Sequence, residues 1–185
     1  MNYRIIGNTG IEVSEIGFGA WGIGGESLNA PGYGKVDDNE SLKALRFAYE
    51  KGVTFYDTAD LYGDGHSERI IAKAFDGLRD KIIIASIGVT LPHTGLHMPQ
   101  DFSARHLNKA LDQSLKRLKT DYIDIYQLHS PKIEDIEKNE CIETLTHFKK
   151  TGKIREFGVS ARSPLDAKYL IKIYDVPFVQ VNLNL

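Results

Sequence analysis

The chain has 185 residues, 42% hydrophobic and 26% charged, with a formal net charge of −2 and a pI near 6.3. That composition suits a globular domain with one sizeable core. It excludes a basic field for nucleic acid or acidic lipid, and no apolar run approaches the roughly 18 residues of a membrane span. The lone Cys141 excludes an intramolecular disulfide and points to a reducing compartment. Met-Asn-Tyr-Arg-Ile-Ile-Gly at the N-terminus has no apolar stretch of signal-peptide length, so a cytoplasmic location is expected.

Residues 3–6 and 11–13 are short β-like runs around Gly7-Asn8-Thr9-Gly10, which predicts a hairpin. Ile16 to Trp21 reads as a strand rich in glycine, and a glycine-rich loop runs on to Gly34. Those glycines either let backbone approach a ligand closely or punctuate an ordinary loop. Asp37 to Glu40 resembles a capping box. The helix behind it carries Leu42, Leu45, Ala48 and Tyr49 on one face and stops at Gly52. Residues 53–57 form a strand, and a helix from Ser67-Glu68 presents Ile70, Ile71, Ala74 and Phe75. Lys81 to Ser86 holds three consecutive isoleucines, which suits a strand buried on both faces. Ser103 caps a helix with Leu107, Ala110, Leu111, Leu115 and Leu118 inward. Tyr122 to Leu128 is the next strand and ends at His129. Residues 134–151 read as one helix, with Cys141, Leu145 and Phe148 inward and Gly152 as stop. Lys153 to Ser160 is a strand, Ser163-Pro164 opens a helix to about Tyr174, and Val176 to Leu183 is the last strand.

This alternation of hairpin and βα units predicts an α/β fold with a parallel sheet and right-handed crossovers, in a single domain over residues 1–185. A doubly wound sheet would want a glycine-rich phosphate loop directly between the first strand and helix. About sixteen residues separate Trp21 from the first helix, so that motif is not met. A (β/α)8 TIM barrel places its active residues at the C-terminal ends of strands. Asp57, Ser86, His129, Ser160 and Gln180 all lie at or near such ends, which favours the barrel.

Residues 55–62, Phe-Tyr-Asp-Thr-Ala-Asp-Leu-Tyr, are the stretch around which function is organised. Asp57 at a strand end with Tyr62 just beyond is a proton-transfer arrangement, although a phenol of pKa about 10 needs neighbours to work near neutrality. The structural alternative is an Asp that caps the loop and a Tyr used for packing.

These residues resemble the aldo-keto reductase family. Gly-Phe-Gly-Ala-Trp-Gly (17–22) is similar to its first strand and loop. Phe-Tyr-Asp-Thr-Ala-Asp-Leu-Tyr-Gly followed by His-Ser-Glu (55–68) resembles its most diagnostic signature. Ser-Leu-Lys-Arg-Leu-Lys-Thr-Asp-Tyr-Ile-Asp-Ile-Tyr-Gln-Leu-His (114–129) and Gly-Lys-Ile-Arg-Glu-Phe-Gly-Val-Ser (152–160) resemble two more. The resemblance implies an eight-stranded barrel that reduces small carbonyl compounds, aldehydes or ketones, with NADP(H). It implies Tyr62 as proton donor to the carbonyl oxygen and His129 as the residue that orients substrate. Asp57 would hold the catalytic lysine and contact the nicotinamide ribose. Ser160 and Gln180 would bind the carboxamide, with Gly19, Ala20 and Trp21 beside the cofactor and Trp21 as a substrate wall.

The sequence departs from that pattern in places. The family's lysine near the end of the third strand is replaced by Ile87 in Ile-Ala-Ser-Ile-Gly. Ala161 stands where the family usually has Asn, and Leu183 where it often has Tyr. TIM barrels run to about 250 residues, so the expectation is a barrel truncated after its sixth strand, without the strands that bind the cofactor's phosphates. An uncovered sixth-strand edge has to be managed, and a homo-oligomer that covers it is one form this takes. Three functions follow: a carbonyl reductase, an inactive relative with a binding or regulatory role, or a cofactor-independent lyase or isomerase using Asp57, Tyr62 and His129.

Other candidates carry less. His93 and His97 are spaced i, i+4, but Pro92, Gly95 and Pro99 argue against a helix and no third ligand is evident, so no metal is expected. His66 reads as loop or helix-cap chemistry, and His106 and His147 as helix-surface residues. Lys116, Arg117 and Lys119 read as a solvated helix end.

Overall fold

The structure, a computed structural model, describes residues 1–28, 32–91 and 99–182. An antiparallel hairpin, β1 (Tyr3–Ile5) and β2 (Glu12–Ser14), precedes a six-stranded parallel sheet. The sheet comprises β3 (Phe18–Gly19), β4 (Phe55–Ala59), β5 (Ile83–Gly88), β6 (Ile123–His129), β7 (Ile154–Ser160) and β8 (Phe178–Gln180). Its spatial order follows the chain order, β3 through β8, without reversal. A doubly wound sheet reverses direction at its switch point, so this monotonic order is that of barrel winding. The helices between strands are α1 (Asp38–Glu50), α2 (His66–Ala74), α3 (Ala104–Leu118), α4 (Ile133–Lys138), α5 (Cys141–Lys150) and α6 (Pro164–Tyr174).

The sheet curls. Gln180 on β8 reaches Asp57 on β4, four strands away, and Phe178 meets Phe55 edge-on at 6.4 Å. The outer face packs against helices in one core that includes Leu45, Tyr56, Ile71, Leu107, Leu111, Tyr126, Leu145 and Phe148. Each such buried aliphatic side chain contributes about 1.5–3 kcal/mol. The inner face holds a second cluster. Ile11 and Val13 of the hairpin side pack on Ala85 and Ile125, with Phe55, Ile83 and Phe178 around them. The hairpin thus fills one end of the curl. Among the described residues, no helix is long and apolar enough to cross a membrane.

Local signals explain most helix boundaries. The Asp37 carboxylate caps α1 by accepting from the Asn39 and Glu40 N–H groups. Glu40 turns to Lys43 at 2.8 Å, so only half of the expected box forms. Ser103 and Ser163 cap α3 and α6, with Pro164 in the first turn of α6. The single helix expected over 134–151 is two helices. The Asn139 amide donates to the Asp135 carbonyl and closes α4, Glu140 takes a left-handed φ of 51°, and Cys141 restarts the chain as α5. The strands at both sheet ends, β3 and β8, are shorter than the apolar runs that carry them.

Candidate active site

Alternation along the strands brings the site residues to the inner face. Register pairs Gly19 with Asp57, Asp57 with Ala85, Ala59 with Ile87, Ile87 with Gln127, His129 with Ser160, and Ser160 with Gln180. A cavity of about 480 Å³ opens inside the curl. Gly19, Ala20, Trp21, Asp57, Tyr62 and Gln180 all line it. His129 and Ser160 sit at neighbouring strand ends but do not line this cavity.

Backbone contacts place Tyr62. The loop after β4 turns on a Tyr62 N–H to Ala59 carbonyl bond of 3.2 Å, and Ser67 N–H returns to the Tyr62 carbonyl at 3.2 Å. Gly63 has φ 59°, and a Cβ there would fall 1.9 Å from the Gly24 carbonyl oxygen. Only glycine lets the loop lie against the 3-10 turn Gly22–Gly24 that follows Trp21. The Trp21 and Tyr62 rings consequently stack at 6.0 Å and 22°, and Tyr33 closes on Trp21 at 4.7 Å. Ala20 is wholly buried. Its N–H donates to the Asp57 carbonyl at 2.8 Å, and its own carbonyl accepts from Ser67 Oγ at 2.9 Å. Trp21 is thereby held at the cavity rim, 39% exposed.

Among the described residues, no cation is paired with Asp57, and none touches Tyr62 or His129. The Asp57 carboxylate accepts from Gln180 Nε2 at 3.1 Å, and burial pushes its pKa up to about 6 against that hydrogen bond. Burial, then the neighbouring Asp57 charge, pushes the Tyr62 phenol up to about 12. Burial lowers the His129 pKa, which favours a neutral ring, and its Nδ1 has no partner. Ile87 is 3% exposed on β5. Both polar atoms of the Gln127 amide beside it are buried without partners. A cation at position 87 would find the Gln127 carbonyl oxygen waiting. The Ile87 side chain offers it no polar group and sets no charge beside the acids of the site.

Several sequence expectations change here. Arg117 is not solvated: its side chain is 15% exposed and its Nε is bonded to the fully buried Glu68. Lys116 and Lys119 are exposed as expected. His106 has a buried, unpartnered Nε2 rather than a surface ring. His66 bonds Asp38 at 2.8 Å, tying α2 to the start of α1. Ala161 donates its N–H to the Gln180 carbonyl and brings no side-chain amide. His93, His97 and Leu183 lie outside the described residues. Gln127, Asp60 and Thr90 were not singled out, and their only sequence signal is polarity within or next to an apolar strand.

A family model described as Aldo/keto reductase family matches residues 15–185. The aldo-keto reductase YhdN of Bacillus subtilis is 41% identical over 168 residues, which cover 86% of this chain and 47% of that protein. L-galactose dehydrogenase of Arabidopsis thaliana is 33% identical over 88% of this chain and 49% of its own. Among solved structures, the holo form of aldo-keto reductase AKR11C1 from Bacillus halodurans superposes with a TM-score of 0.84 at 32% identity. It covers 99% of this chain and 58% of its own. An aldo-keto reductase from Klebsiella pneumoniae in complex with NADPH gives a TM-score of 0.73 at 29% identity, over 93% of this chain and 54% of its own. The chain spans about half the length of the curated relatives it matches.

Proposed function

The chain belongs to the aldo/keto reductase family, and we propose that its strand-end cavity binds the nicotinamide end of NADP(H) and reduces a small aldehyde or ketone there. One observation carries the reading: Trp21, Asp57, Tyr62 and Gln180, drawn from three separate stretches of chain, line one cavity inside the curl. The groups fit that end of the cofactor. The Gln180 amide matches a carboxamide, with the Ser160 hydroxyl on the adjoining strand end outside the cavity lining; Asp57 can accept from ribose hydroxyls, and Trp21 with Tyr62 forms a flat aromatic wall. The phosphate end is matched less well. Arg4, the one cation lining the cavity among the described residues, is already paired with Glu15.

Bound NADP(H) supplies the hydride. Tyr62 then gives its phenolic proton to the carbonyl oxygen, and neutral His129 orients that oxygen from the next strand end but one. Without a cation at position 87 the phenol stays near 12, a poor acid at neutral pH, so the proton step is slow.

Ile87 supports a second reading, in which the cavity binds the cofactor or a carbonyl compound without turning it over. A fluorescence titration with NADPH separates binding from its absence. Saturation below about 1 mM, weakened about tenfold by Gln180→Ala, is the expected result. No response at that concentration would sink the reductase reading and the cofactor-binding form of the second.

A further inference from the structure

A second cavity, of about 370 Å³, shares no lining residue with the first. It lies between the loop after β4 (Asp60, Asp64), the segment after β5 (Thr90) and the edge of α3 (His106, Lys109, Arg117). The proposed carbonyl chemistry uses none of its residues, although Asp60, Leu61 and Arg117 fall within stretches that carry the family resemblance. Three of its polar atoms are buried without any hydrogen-bond partner: Asp60 Oδ1, Thr90 Oγ1 and His106 Nε2. Thr90 is only 9% exposed. Native interiors rarely leave one such atom unpaired, and three belong to residues that line this cavity.

The walls are oppositely charged. The loop side brings the carboxylates of Asp60 and Asp64, and the helix side brings Lys109 and Arg117. Arg117 is fixed by Glu68 and by Ser114, to which its Nη2 donates at 3.0 Å. Lys109 makes no ion pair among the described residues. Asp64 is steadied by Ser27 Oγ at 2.9 Å and the Leu28 N–H at 3.0 Å. A lone anion would face two carboxylates, and a lone cation would face two cations. A dipolar molecule meets both walls.

We propose that this cavity binds a small zwitterion of the size of a free α-amino acid. Its ammonium points toward Asp60 and Asp64, its carboxylate toward Lys109 and Arg117, and a hydroxyl or amide side group meets Thr90 and His106. Burial and the nearby Glu68 raise Asp60 to about 7, so an incoming ammonium favours the ionised carboxyl it needs.

The test is a titration followed by amide NMR with L-serine, L-threonine and L-asparagine as probes. Ethanolamine and glycerate serve as the two halves of serine. At least one amino acid is expected to shift the resonances of Leu61, Leu91 and Lys109. Ethanolamine and glycerate should then bind about tenfold more weakly or worse. Asp60→Asn and Lys109→Gln should each weaken the amino acid about tenfold, while Lys172→Gln, on the exposed side of α6, leaves it unchanged. Lys109 is exposed, so that variant keeps the fold intact and the test valid if Asp60→Asn does not fold. No shift from any of the three at roughly 50 mM overturns the proposal. So does ethanolamine or glycerate matching the amino acid, or indifference to the Lys109 change.

Discussion

The molecule treats buried carboxylates in two ways. On the helix side of the sheet and at the ends of its strands, each is matched to a cation. Glu68 is bonded by Arg117, Asp124 by Arg79 and Arg155 at 2.7 Å each, and Glu156 by Lys149 at 2.6 Å. In and beside the two cavities, Asp57 and Asp60 have no such partner, only an amide in one case and backbone N–H groups in the other. Desolvating a charge is costly, and a fold that needs only stability either pairs it or does without it. Unpaired acids persist where a ligand or a proton is handled, or where a partner has been lost. Under the proposed function Asp57 is the second case, with Ile87 at the position the family resemblance gives to a lysine.

The largest effect should follow from breaking a matched pair. Arg117→Met strands Glu68 in the core and should cost about 3–5 kcal/mol in urea unfolding. A loss below about 1 kcal/mol would mean that the pairing does not distinguish the two regions. Next in size is the pH dependence. Asp57 and Asp60 sit at about 6 and about 7 in the fold, above the ordinary 3.8, so the folded state holds their protons more tightly than the unfolded chain does. Their contribution to stability is therefore fully present below about pH 4 and is lost as pH rises through about 7. Urea midpoints of wild type and of the Asp57→Asn, Asp60→Asn double variant should diverge over that window, the variant gaining at the high end. Parallel curves would contradict the unpaired state of these acids. The smallest effect belongs to Asp57→Asn alone at about pH 4, where the wild-type carboxyl is largely protonated: it should leave stability within about 1 kcal/mol there, while weakening NADPH in the fluorescence titration at neutral pH.

Much of this fold was legible in the sequence. Apolar periodicity and the residues Ser103, Ser163 and Pro164 located helices that the structure confirms. The glycine-rich opening and the Asp57–Tyr62 stretch led to one cavity wall. What stayed hidden is long-range. The partner of Arg117 lies 49 residues away, and nothing local distinguishes it from the solvated Lys116 and Lys119. The break at Asn139 depends on one side-chain bond to the Asp135 carbonyl, a choice that helical spacing does not record. The second cavity was missed because its residues come from three segments and have no shared motif. Ile87 was readable at once as an apolar residue inside a strand. Its consequence needed the neighbours: a half-buried Asp57 held by Gln180, and a Gln127 amide with nothing to bond.

The proposed function requires Tyr62 to act as a proton donor. The direct measurement is NADPH oxidation with a small aromatic aldehyde, comparing wild type with Ile87→Lys, each with and without Tyr62→Phe. A lysine at 87 lies in register with Gln127 and Ala59, within the face that carries Asp57. It should raise turnover by about tenfold or more, and Tyr62→Phe should abolish that gain. Turnover unchanged by the lysine, or raised equally with the phenol removed, would contradict the account.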